Sequence, residues 1–208
     1  MKVQSSRVAD QQSDLNGSAP DNHVVALLLI DVINDFHFPG GERLLENALP
    51  IAGRIRELKA RARSLGIPAI YVNDNFGRWQ SDFSQLLQHC LDPGVRGRPF
   101  VQQLAPEQHD YFVLKPKHSA FYQTPLEILL KHLGARRLIL TGLSTNSCVM
   151  FTAHDAFMRD MKLYVPPDCV AAYSRDEQDY AIGQIKAILK ADVSFSADLD
   201  LKVISADR

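Results

Sequence analysis

Cysteine is scarce in this sequence, and so is net charge. Only Cys90, Cys148 and Cys169 occur among the 208 residues. An odd, widely spaced trio is not a disulfide framework, and no Cys-x-x-Cys pair is present to suggest a structural zinc site. Three reduced thiols in a cytoplasmic protein are the expectation. The 23 Lys and Arg residues nearly balance the 24 Asp and Glu residues, leaving a formal net charge of −1. Such a chain has no long-range field to attract nucleic acid or an anionic membrane, so neither partner is expected. Long apolar runs are missing too. The longest, Val24 to Ile30, falls far short of the roughly 20 residues of a membrane-spanning helix. The first residues lack a basic segment leading into an apolar one and do not read as a secretory signal.

What remains is ordinary for a globular chain: 46% hydrophobic and 23% charged residues. The length suits one domain with a full core. Residues 1–22 are rich in Ser, Gln, Asp and Asn and read as a disordered tail, followed by a domain over 23–208. From Val24 the pattern alternates. Val24–Ile30 is continuously apolar, as in a parallel strand buried on both faces. Ala48, Ile51, Ala52, Ile55, Leu58, Ala62 and Leu65 step by three and four along one helix face, and Gly66 ends it. Ile67–Val72 is a second strand, and residues 82–90 fit a short helix. Tyr111–Leu114, Arg137–Thr141 and Lys162–Val165 read as further strands, with a last one near Leu201–Ile204. Thr124-Pro-Leu-Glu127 and Ser174-Arg-Asp-Glu177 are capping boxes that open two helices, and another helix spans about Asn146–Arg159. The alternation predicts an α/β fold: a single doubly wound domain with a mainly parallel six-stranded sheet and helices on both faces.

In such folds ligands bind beyond the carboxyl ends of the strands. Asp31 follows the first strand, Lys115 the third, and Cys148 lies a few residues beyond the fourth where a helix begins. Each alone has an ordinary reading: a turn residue, a solvated charge, a small buried hydrophobe. On one rim they make a nucleophile, a cation and an acid–base group. A free thiol with a pKa of about 8.5 is only about 3% thiolate at pH 7. Lowering that pKa to about 6 requires roughly 3.4 kcal/mol of preferential thiolate stabilisation. A helix N-terminus and a nearby ammonium can supply it. A carboxylate works against it, and is useful instead as the acceptor of the thiol proton.

Three segments then resemble the isochorismatase-like, or cysteine hydrolase, superfamily. They are Leu29-Ile-Asp-Val-Ile-Asn-Asp-Phe36, Lys115-Pro-Lys-His-Ser-Ala-Phe121, and Thr141-Gly-Leu-Ser-Thr-Asn-Ser-Cys-Val149 running on to Phe157. Their order and separations also match, over about residues 24–195. The resemblance implies that Asp31 is the general acid/base, Lys115 (rather than Lys117) the cation, and Cys148 the nucleophile. It implies a cis peptide at Leu143–Ser144 that helps aim the amides of Ser144 and Cys148 at the substrate oxygen. It implies hydrolysis of a small amide, ureido or carbamoyl C–N bond without a cofactor, by a homodimer or homotetramer. Many members have Gln where this chain has Ile33. Metal-binding nicotinamidases carry an Asp-x-His element after the second strand; here Asp74 is followed by no such histidine, so no metal is expected.

Expected substrate contacts are Phe36, Asn73, Asn75, Phe76, Arg78, Trp79, His118, Phe121 and Thr145, a mix of amide, aromatic and cationic groups suited to a small planar or carboxylate-bearing molecule. Two rival readings stand. One is isochorismatase-type vinyl-ether hydrolysis, which needs the acid but no thiol. The other is a non-catalytic binding or signalling α/β domain, such as a response-regulator-like module. Lys115 precedes Thr141 and no phospho-acceptor Asp follows the third strand, which counts against that module.

Overall fold

A computed structural model of the chain describes residues 23–75 and 82–206. The expected tail over 1–22, and Phe76, Arg78 and Trp79, lie outside the described residues. Six strands form one all-parallel sheet: β1 (Val25–Ile30), β2 (Ala69–Asp74), β3 (Tyr111–Lys115), β4 (Arg137–Leu143), β5 (Lys162–Tyr164) and β6 (Val170–Ala171). The order is β3-β2-β1-β4-β5, with β6 pairing β4 beyond β5. The path runs one way from β1 through β2 to β3 and the other way through β4 to β5. The crevice between β1 and β4 is therefore the topological switch point, where doubly wound sheets bind ligands.

β1 shows why the sheet needs cover on both sides. Val25, Leu27 and Leu29 enter one apolar cluster; Ala26, Leu28 and Ile30 enter the other. All but Val25 are fully buried, at 0% exposure. Burial of each large aliphatic chain contributes about 1.5–3 kcal/mol. The first cluster is closed by α1 (Gly41–Ser64) and α2 (Phe83–Leu91), together with the short α3 (Arg98–Val101). The second is closed by α4 (Leu126–Leu133), α5 (Met150–Phe157) and α6 (Arg175–Leu189). No helix among the described residues is long and apolar enough to cross a membrane.

Several elements depart from the expected pattern. α1 begins at Gly41, seven residues before Ala48, and continues through Pro50 on its exposed side. Burial of Leu44, Leu45 and Ala48 outweighs the missing donor and the steric cost of proline, about 3 kcal/mol. The N-cap at Ser174 forms, its hydroxyl accepting from the Glu177 amide at 3.3 Å. At Thr124 it does not: Oγ1 accepts from the Leu126 amide at 3.2 Å, and Glu127 turns to Lys131 and Arg159. The expected last strand at 201–204 is instead a helix, α7 (Leu201–Ser205). Asp200 caps it, accepting from the Lys202 and Val203 amides, and Arg137 donates to the Ile204 and Ala206 carbonyls at its end. The sixth strand is the two-residue β6.

Candidate active site

Asp31, Lys115 and Cys148 meet at the carboxyl edge of the sheet. β1 delivers Asp31, whose φ of 52° is a left-handed conformation that Asp tolerates better than most side chains. Its amide donates to the Val72 carbonyl at 2.9 Å, which ties it to the end of β2. Its Oδ1 accepts from the Asp74 amide at 2.7 Å. Its Oδ2 lies 2.9 Å from Lys115 Nζ. Lys115 closes β3 opposite Asp74 and is fully buried, whereas Lys117 is exposed. The Lys115 ammonium also reaches Asp74 Oδ2 and Cys148 Sγ, each at 3.4 Å.

Cys148 sits in a π-helical turn, Thr145–Val149, that connects β4 to α5. The Ser144 carbonyl receives the amides of Ser147 at 3.1 Å and Val149 at 3.2 Å. Pi-turns of this kind recur at functional positions. The Leu143–Ser144 bond is trans, as is every peptide bond among the described residues, which corrects the cis expectation. Ser144 is extended, at φ −87° and ψ 149°, and the π-turn itself redirects the chain. Upstream, Gly142 takes φ 106° beside β1; a Cβ there would lie 2.0 Å from the Ile30 carbonyl oxygen.

The electrostatics reverse one expectation. The Cys148 thiol is pushed up to about 12 rather than down. Burial is the largest cause and the Asp31 charge the next; Lys115 opposes both without overcoming them. Burial also works against the Lys115 charge, but Asp31 first, then Cys148 and Asp74, hold its pKa above the usual lysine value. Burial and Asp31 thus favour the thiol form of Cys148, next to the Asp31–Lys115 pair.

The expected contacts have different standings. His118 is exposed, with Nδ1 3.6 Å from Cys148 Sγ and 3.3 Å from Ser147 Oγ, and its ring lies against Phe151. Thr145 is fully buried and its hydroxyl donates to Gln178 Oε1 at 2.5 Å, locking the π-turn to α6. Phe36 is fully buried against Phe38 and Phe100. Phe121 is buried beneath the Arg159 guanidinium, 4.7 Å from its ring centre. Asn73 is fully buried, and its Nδ2 donates to the Ile33 carbonyl at 2.7 Å while Oδ1 has no partner. Asn75 donates its amide to the Lys115 carbonyl at 3.1 Å. Four residues outside the expected set organise the site. Asp74 touches both Asp31 and Lys115. Ser119 donates to Asp155, and Thr152 accepts from the Ala120 amide at 3.0 Å, so α5 holds the segment after Lys115. Asp74 Oδ2 faces Lys115 Nζ at 3.4 Å, and the sequence has Phe76 rather than a histidine two residues on.

The parallel sheet thus gathers Asp31, Lys115 and Cys148 at its carboxyl edge. Residues 25–195 match the isochorismatase domain family, and the chain belongs to it. It is 41% identical to the uncharacterized isochorismatase family protein YaaI of Bacillus subtilis (strain 168), covering 81% of this chain and 92% of that one. It is 31% identical to the isochorismatase of the same organism over 78% of this chain, and spans only 53% of that longer protein. Among solved structures it resembles N-carbamoylsarcosine amidase from Thermoplasma acidophilum, with a TM-score of 0.63, 27% identity and coverage of 85% of this chain and 98% of that one. The protein is an isochorismatase-family hydrolase.

Proposed function

We propose that the protein hydrolyses a C–N bond of a small amide, ureido or carbamoyl substrate through a thioester on Cys148. The observation that carries this reading is the Lys115 ammonium, in reach of both the Asp31 carboxylate at 2.9 Å and the Cys148 sulfur at 3.4 Å. That geometry suits a proton transfer from thiol to carboxylate, with the cation holding whichever partner is anionic.

As the thiol proton passes to Asp31, the sulfur attacks the substrate carbonyl carbon. The carbonyl oxygen becomes an oxyanion, held by the backbone amides of Ser144 and Cys148; one such donor is worth about 2.7–4 kcal/mol in a transition state. The C–N bond then breaks and Asp31 returns its proton to the nitrogen, which leaves as amine or ammonia. Water attacks the thioester, giving a proton to Asp31 as it does so. The C–S bond breaks, the acid is released, and the sulfur recovers the proton. N-carbamoylsarcosine amidase has the same fold and acts, by its name, on such a bond. The 31% identity to an isochorismatase supports vinyl-ether hydrolysis as the second reading, in which Asp31 protonates the enol ether and the thiol is idle.

A panel of small amides, ureides and carbamoyl acids, with nicotinamide and isochorismate included, separates the two. Ammonia or amine release by wild type but not by Cys148→Ala is the expected result. Isochorismate consumption by both proteins, with every amide untouched, would replace this reading with the second.

A further inference from the structure

The loop after β1 carries two side chains that this chemistry does not use. Asp35 and His37 follow Asp31 by four and six residues, and α2 brings His89 to them. Asp35 Oδ2 lies 3.0 Å from His89 Nε2 and 3.8 Å from His37 Nδ1. All three ligand atoms fall within 4.8 Å of one another.

We propose that Asp35, His37 and His89 form a three-ligand site for a late first-row divalent cation, zinc in the first instance. Two imidazoles and a carboxylate are the donors zinc takes when it keeps a position open for water or another small ligand. Zinc ligands at about 2.0–2.2 Å in a tetrahedron stand roughly 3.3 Å apart. The Asp35–His89 pair is already at that spacing, and His37, whose ligand nitrogen lies within 4.8 Å of both partners, needs to close by at most about 1.5 Å on the same criterion. His37, the most exposed of the three at 46%, has the freedom to do so.

The supporting shell is present as well. Asp35 Oδ1 accepts from the His37 amide at 2.8 Å, which leaves Oδ2 as the oxygen facing both rings. The Asp35 carbonyl accepts from the Gly97 amide at 3.2 Å, and the Phe36 carbonyl from Arg96 at 2.8 Å. These bonds fix the loop before any ion arrives, as ligand-orienting contacts do in metal sites. The set is not the Asp-x-His element after β2 that this chain lacks: two of its members lie after β1 and the third on α2. It stands independently of the thiol chemistry proposed above.

The test is zinc titration of the full chain against a chromophoric chelator, in wild type and in Cys148→Ala, which removes the thiol as a competing ligand. One equivalent bound in both backgrounds is expected, with cobalt(II) giving a spectrum free of thiolate charge transfer. His89→Ala and Asp35→Asn should each weaken zinc binding at least ten-fold, and exposed His109→Ala should leave it unchanged. Melting curves of the metal-free variants identify any that fail to fold, and His37→Gln, on the exposed loop, then stands in for them. No zinc uptake by wild type would overturn the proposal, leaving an aspartate–histidine ion-pair cluster. Uptake lost in Cys148→Ala, or undiminished in the ligand variants, would overturn it equally.

Discussion

Asp31→Asn should make the Cys148 thiol easier to ionise while stopping turnover. Ordinarily, removing the base that serves a nucleophile leaves it less reactive. Here the resting thiol is pushed up to about 12 by burial and by the Asp31 charge. Both Asp31 and the sulfur contact one ammonium, at 2.9 and 3.4 Å. Two unit charges about 4 Å apart near a protein surface repel by about 4 kcal/mol at an effective dielectric constant of 20. That corresponds to about three pH units. The substituted amide side chain keeps the volume and can still accept from the Asp74 amide through its oxygen, but it carries no charge. The midpoint of iodoacetamide alkylation against pH should therefore fall by about two to three units. Amide turnover should drop by at least about 10²–10⁴-fold, the usual worth of a positioned acid–base group. An unchanged or higher alkylation midpoint would refute the electrostatic argument, whatever happened to activity.

Lys115→Met should destabilise the fold by about 3–5 kcal/mol in urea titrations, because it removes the ammonium beside the buried Asp31 carboxylate and puts an apolar chain there. Thr145→Val should cost about 1–3 kcal/mol by leaving Gln178 Oε1 without its donor, and should lower turnover through the π-turn; rescue of stability without rescue of rate by a repacking change at Gln178 would separate the two effects. Gly142→Ala should cost about 3 kcal/mol or more, read from the same titrations, since its Cβ meets the Ile30 carbonyl oxygen at 2.0 Å and its φ is 106°. Cys169 is fully buried and, chiefly through that burial, pushed up to about 12. A folded pKa above the unfolded one leaves stability intact below the unfolded value, about 8.5, and erodes it as pH rises toward the folded value. Between about pH 9 and 11, Cys169→Ala should lose stability less steeply than wild type, by about 1.4 kcal/mol per pH unit.

The legible parts of this molecule are those that repeat a physical pattern along the chain. β1 reads as a buried strand because six apolar residues feed two apolar clusters in alternation, and Ser174 reads as a helix start because its hydroxyl satisfies the amide three residues on. Once the alternation predicts a doubly wound sheet, the strand ends indicate Asp31, Lys115 and Cys148, and the structure brings those three together. The two-residue β6 after Pro166 and Pro167 has no period to read, and α7 is set by the Asp200 cap rather than by its apolar residues. Asp74 becomes a partner of Lys115 only through the β2–β3 register, a relation between residues 41 apart. The state of the thiol lies further out of reach. A cation, a turn and a carboxylate can be named from their spacing, but their balance depends on how much water each loses. Here desolvation and Asp31 outweigh Lys115, so the Cys148 thiol is pushed up beside the Asp31 carboxyl group. That balance fits the role the residues already suggested for the carboxylate, as the acceptor of the thiol proton.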